Sequence, residues 1–168
     1  NVYWLSTQSD ELDWAHSNWY LTPVTRYADL TPLQTLPAAT SEVRATMRQE
    51  GAELITVVTL TVPSSSRAVA LFQHVSIKRT AGGEPMLPVL WSDNDITLWP
   101  GESFTLTARF AAQGAGLSAA GLPGTGIAGA ESRGAESPVI EVSGWNVPTQ
   151  SIPVSVESRT AAAQETNH

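Results

Sequence analysis

The chain has 168 residues, 42% of them hydrophobic and 15% charged. That is enough for one domain with a hydrophobic core, and the low charge content fits an all-β domain better than a helical bundle. Sixteen Asp and Glu against nine Lys and Arg leave a net charge of −7, which excludes the basic face a nucleic-acid partner needs and suits a cationic partner instead. With no cysteine there is no disulfide, thiolate metal site or cysteine nucleophile, and no apolar run approaches the roughly 20 residues of a membrane helix.

Residues 1–6, "NVYWLS", are β-branched and aromatic and read as a strand. The chain opens there with neither a methionine nor a signal peptide, which reads as a piece of a longer protein. Residues 7–37 read as an irregular connector with one helical turn, capped by Asp29 or Thr31 and with Pro32 at its first position. In "SEVRATMRQE" (41–50), Val43, Ala45 and Met47 alternate with polar residues, as in a half-buried strand. The spacing of Val43 and Met47 also fits a helix, but "EGAE" supplies a turn into "LITVVTLTV" (54–62), so a strand is expected. That second run holds only apolar residues and threonine and is the strongest strand signal in the chain.

"AVALFQHVSIKR" (68–79) predicts a strand with Val69, Leu71, Val75 and Ile77 on one face and Gln73 as the exception. "SFTLTARF" (103–110) predicts another, with Phe104, Leu106, Ala108 and Phe110 inward. Residues 111–137 are mostly Ala, Gly and Ser without an aromatic residue, and read as a flexible insertion that cannot bury enough apolar surface to order itself. "PVIEVSGWNV" (138–147) returns to strand, and residues 148–168 read as a tail, loose after about Val156. The expected fold is all-β, an immunoglobulin-like β-sandwich of about seven strands over 38–147.

"NVYWLS", "LDW", "WYLTP", "YADL", "WSDNDITLWPGES" and "VSGWN", in this order and spacing, cover most of residues 1–110 and 138–147. The chain resembles the C-terminal region of glycoside hydrolase family 2 enzymes, closest to bacterial exo-β-D-glucosaminidases (exo-chitosanases) and endo-β-mannosidases. The resemblance implies a secreted bacterial parent in which a catalytic TIM barrel precedes immunoglobulin-like domains. It makes 1–37 a strand and connector from the preceding domain. It also implies a retaining mechanism on two barrel glutamates. A barrel takes about 250 residues and does not fit this chain, so no catalytic residue is expected here. The expected role is a non-catalytic accessory domain beside the barrel of an exo-β-D-glucosaminidase acting on chitosan oligosaccharides. The alternatives are a stand-alone carbohydrate-binding module and an adhesion-type immunoglobulin module.

Two groups of side chains are candidate sites. Trp91, Asp93, Asn94, Asp95 and Trp99 are candidate sugar contacts, since indoles stack on pyranose rings and acids and amides bond hydroxyls. A turn held by Asp93 or Asn94 is the leading reading of that loop. If Leu98 faces the core, strand alternation turns Trp99 outward. Trp4, Trp14, Trp19, Tyr20 and Tyr27 are candidates for an interdomain seam, because aromatics concentrate in interface cores. Asp93 and Asp95 match only the start of a calcium loop, and His16 and His74 lack ligand-spaced partners. No metal and no cofactor is expected.

Overall fold

A computed structural model describes residues 2–112 and 138–156. The chain divides into two compact units, residues 1–37 and residues from 38 onward.

The first unit is built from local polar contacts. Strand β1 (Glu11–Leu12) pairs antiparallel with β2 (Val24–Arg26). The pairing is closed by Arg26 Nη2 donating to Glu11 Oε1 at 2.6 Å and by the Ala28 N–H donating to Asp10 Oδ1 at 2.6 Å. A 3-10 helix at Trp14–His16 is capped by Asp13, whose Oδ1 accepts from the His16 N–H. A second covers Thr31–Thr35 with Pro32 in its first turn. Of the two expected caps, Asp29 accepts from both the N–H and the hydroxyl of Thr31, at 2.9 and 2.7 Å, while Leu30 occupies the cap position.

The expected strand at 1–6 does not form: Val2–Ser6 carry no strand and are largely exposed. β-branched and aromatic residues favour a strand only where a neighbouring ladder takes up their backbone groups, and Val2–Ser6 belong to none of the described sheets.

The second unit is a two-sheet sandwich. Its strands are β3 (Glu42–Glu50), β4 (Glu53–Thr61), β5 (Ala70–Lys78), β6 (Leu90–Trp91), β7 (Ile96–Leu98), β8 (Ser103–Ala111), β9 (Val139–Ser143), β10 (Gln150–Pro153) and β11 (Ser155–Val156). One sheet has the order β11-β3-β4-β8-β6 and the other β10-β9-β5-β7. β3, β4, β8 and β6 reproduce the A-B-E-D sheet of an immunoglobulin domain, and β5, β9 and β10 its C-F-G sheet. The two short strands β7 and β11 extend these seven.

β3 and β4 are joined through Gly51 and Ala52, with Glu50 opposite Glu53 and Gly51 at φ +60°. A two-residue hairpin turn needs positive φ at its first position, which glycine adopts without steric cost. β4 is paired along its whole length on both sides, which is why its run needs so little polar relief. The core lies between the sheets, with Met47, Leu54, Val58, Leu60, Leu106 and Ala108 facing Val75, Ile77, Leu98, Ile140 and Val142.

Three expectations are corrected. In β5 the inward face is Ala70, Gln73, Val75 and Ile77, not Val69 and Leu71, which are only half-buried. Ala70 stands opposite Leu98 and Gln73 opposite Ile96, so a bulge adds one residue and flips the alternation. Phe104 shares the face of Leu106 but is 37% exposed, at the second residue of β8. Finally, the sandwich continues past Val147, the limit set by the sequence. β10 pairs with β9, and after the buried Val154 the chain crosses to the other sheet, where β11 runs parallel to β3. Polar composition hid these strands, because they are edge strands with one solvated face. The insertion expected at 111–137 begins in described residues, with Ala111 ending β8 and Ala112 buried; 113–137 and the tail after Val156 lie outside them.

Candidate functional site

The loop between β6 and β8 is organised by its own side chains. Ser92 joins it to β8: its N–H donates to the Thr107 carbonyl at 2.8 Å, and its hydroxyl accepts from the Thr107 N–H at 2.9 Å. Asp93 Oδ1 accepts from the Asn94 N–H at 2.8 Å. Asn94 turns toward β5, where its Oδ1 accepts from the Val75 N–H at 2.8 Å and its Nδ2 donates to the Val75 carbonyl at 3.0 Å. The same Oδ1 accepts from the Asp95 N–H at 2.9 Å. Asp95 sits at φ +55°, a conformation Asp tolerates better than most residues, and meets His74 Nδ1 at 3.1 Å.

The five candidate sugar contacts therefore do not act as one group. Trp91 is half-buried against the core. Asn94 is half-buried and spent on the backbone of β5. Asp93 and Asp95 are exposed, and Asp95 faces His74. Trp99 is 63% exposed while Leu98 is buried, the arrangement that strand alternation requires once Leu98 faces the core. The indole rides on a tight turn, with the Trp99 N–H donating to Glu102 Oε2 at 2.8 Å and Gly101 at φ +90°.

Beyond the predicted set stands Trp145, 57% exposed, in the "SGWN" turn after β9. Its signal lay in the sequence, since a glycine and an asparagine bracketing a tryptophan after a strand mark a turn that holds the ring outside the sheet. His74, weighed from the sequence only as a metal ligand, points outward toward Asp95 because its neighbours Gln73 and Val75 are buried.

In the first unit, Trp14, Trp19, Tyr20 and Tyr27 are exposed by 70% or more, and Trp4 by 37%. Trp19 and Tyr20 stack edge to face, with ring centroids 5.0 Å apart. Their backbone is set by Asn18, whose Oδ1 accepts from the Tyr20 and Leu21 N–H groups at 3.1 Å each. Hydrogen bonds from the Thr31 hydroxyl, and then from its N–H, hold the exposed Asp29 carboxyl below its ordinary range. Among the described residues no three His, Asp or Glu side chains converge as metal ligands.

These observations define an immunoglobulin-like β-sandwich with Trp99 and Trp145 exposed on turns. The family model of the exo-β-D-glucosaminidase Ig-fold domain matches residues 19–122. The chain belongs to that family. It is 41% identical over 157 residues to an exo-β-D-glucosaminidase of Streptomyces avermitilis, covering 92% of this chain and 15% of that protein. It is 38% identical over 156 residues to an exo-β-D-glucosaminidase of Amycolatopsis orientalis, covering 91% of this chain and 13% of that one. The crystal structure of the Amycolatopsis orientalis exo-chitosanase CsxA superposes with a TM-score of 0.66 at 35% identity, over 91% of this chain and 16% of that chain. The similarity is thus to a small part of larger enzymes.

Proposed function

We propose that this chain is a non-catalytic accessory segment of an exo-β-D-glucosaminidase that acts on chitosan oligosaccharides, and that it packs beside the catalytic barrel. In this reading the chemistry belongs to carboxylates elsewhere in the parent, and the sandwich holds the barrel's surroundings in place. The observation that carries it is coverage: over 90% of the chain aligns, yet it makes up only 15% and 13% of the two relatives.

The aromatic first unit supports a seam. Not one of residues 2–37 is buried, although Trp4, Trp14, Trp19, Tyr20 and Tyr27 lie among them. A segment so rich in large apolar rings gains its stability by burying them, at about 25 cal/mol per Å² removed from water. We assign these five residues to a contact with a neighbouring domain of the parent. The test uses a parent enzyme in two parts. The purified chain by itself should not hydrolyse chitosan oligomers or aryl β-glucosaminides, and the parent lacking this segment should regain stability when the chain is added in trans. Turnover that follows this chain through purification would refute the reading, and so would a truncated parent indifferent to it.

A further inference from the structure

The bulge in β5 is a strained backbone held from both sides. Phe72 adopts φ +50°, a region costly for a bulky residue without a special reason. On the β9 side, Asn146 Oδ1 accepts from the Leu71 N–H at 3.0 Å, Asn146 Nδ2 donates to the Val69 carbonyl at 2.9 Å, and the Trp145 N–H donates to the Leu71 carbonyl at 2.9 Å. On the β7 side, the Phe72 N–H donates to Thr97 Oγ1 at 3.3 Å. Gly144 admits this approach because a Cβ there would lie 2.7 Å from the Leu71 carbonyl oxygen. Backbone strain fixed by so many independent contacts marks a position whose shape is being maintained.

Two exposed indoles flank the clamp. Trp145 follows β9 and is anchored to Leu71; Trp99 follows Leu98 of β7, which stands opposite Ala70. Both are more than half exposed. Trp99 lies one residue past β7 and Trp145 two past β9, the strands that flank β5 and lie about 10 Å apart, two interstrand spacings, with the half-buried Phe72 on the strand between. Asp95 and Glu102 flank Trp99 in sequence, and Glu102 is bonded to the backbone of Trp99 itself.

We propose that Trp99 and Trp145, which flank the clamped bulge at Phe72, form a binding strip for a β-linked amino-sugar chain. Each indole stacks on the apolar face of a pyranose ring, and the carboxylates of Asp95 and Glu102 favour the sugar's ammonium groups. The choice of an amino sugar rests on the proposed function; the stacking pair does not. Such a strip would hold polymeric substrate near the enzyme rather than cleave it.

The test is titration of the 168-residue chain with chitosan hexaose and, in parallel, with neutral cellohexaose, followed by NMR of the indole N–H signals and by calorimetry. Chitosan hexaose is expected to shift the Trp99 and Trp145 indole signals. Trp99→Ala and Trp145→Ala are each expected to weaken binding about tenfold or more, roughly 1.4 kcal/mol, with Trp99→Phe restoring part of the loss. Asp95→Asn should weaken binding of chitosan and not of cellohexaose. Absence of shifts at these two indoles, or unchanged affinity in both alanine variants with an intact fold, overturns the strip. Equal affinity for the two sugars overturns the amino-sugar assignment. An inert chain that still restores the truncated parent would sink this proposal and leave the accessory reading standing.

Discussion

The side-chain amide of Asn94 takes the place of a ladder that β7 no longer supplies: β7 begins at Ile96, and Val75 beyond it bonds to Asn94 through both its N–H and its carbonyl. Asn94→Ala leaves both groups without that partner and should cost about 1–3 kcal/mol. Asp93→Ala removes only the bond to the Asn94 N–H and should cost about 0.5–1 kcal/mol, the low end for a lost cap. Denaturant unfolding of both variants checks the order. A stability-neutral Asp93→Ala that lowers kcat/KM of the parent a hundredfold would instead place the loop in its active site. Gln73 is the opposite case. It is fully buried, and neither its amide nitrogen nor its oxygen has a partner among the described residues. Gln73→Met keeps the shape, removes the unsatisfied amide and should raise stability by about 1–3 kcal/mol, read as a higher unfolding midpoint. Asp29 gives a pH prediction. Its carboxyl is held below its ordinary value of 3.8, so its contribution is present above that value and fades as pH falls through the lowered one. Thr31→Val removes the hydroxyl donor and should move the Asp29 titration, followed by NMR, back up.

At the scale of the element, β5 decides how the second sheet presents its surface. Its bulge turns Ala70 inward and Leu71 off the core face, and it depends on glycine at 144 as much as on Phe72. Gly144→Ala forces a Cβ against the Leu71 carbonyl and the Val147 side chain. The turn must give way, at a cost of about 1–3 kcal/mol, as for overpacking. Amide exchange should then speed up at Leu71 and Trp145 before it does in β4. Unchanged protection there would show that the turn has slack the contacts do not reveal. β4, paired on both sides over nine residues, is the natural slow-exchanging centre, whereas β6 and β7, of two and three residues, rest on side-chain bonds from Ser92 and Asn94.

For the whole molecule, the contrast between the two units sets the expectation. The sandwich has a continuous core, while residues 2–37 bury nothing. Removing residues 1–37 should leave the unfolding midpoint of the sandwich within about 0.5 kcal/mol of its original stability, as for changes away from a core, and should lower binding of a hydrophobic dye. Loss of the cooperative transition would show that the first unit is integral to the domain. The runs at 42–50 and 103–111 were legible in the sequence because alternation marks a strand with one face inward, and 53–61 because its apolar and threonine residues are mostly β-branched. The Ig-fold family was legible too, from the order of short motifs. What the residue pattern concealed came from contacts between distant segments. The bulge at Phe72 is held by Asn146 and Thr97, tens of residues away, and it turned Ala70 inward in place of the predicted Val69 and Leu71, while Val75 and Ile77 kept the expected face. Strands β10 and β11 exist because β9 and β3 offer edges to them, whereas Val2–Ser6 belong to none of the described sheets. Trp99 was turned outward by the burial of Leu98, and Trp145 was brought to the opposite flank of β5 by one backbone hydrogen bond. Local propensity is set by neighbours along the chain, but a ladder or a bulge is set by which strands lie side by side, and only the folded chain decides that.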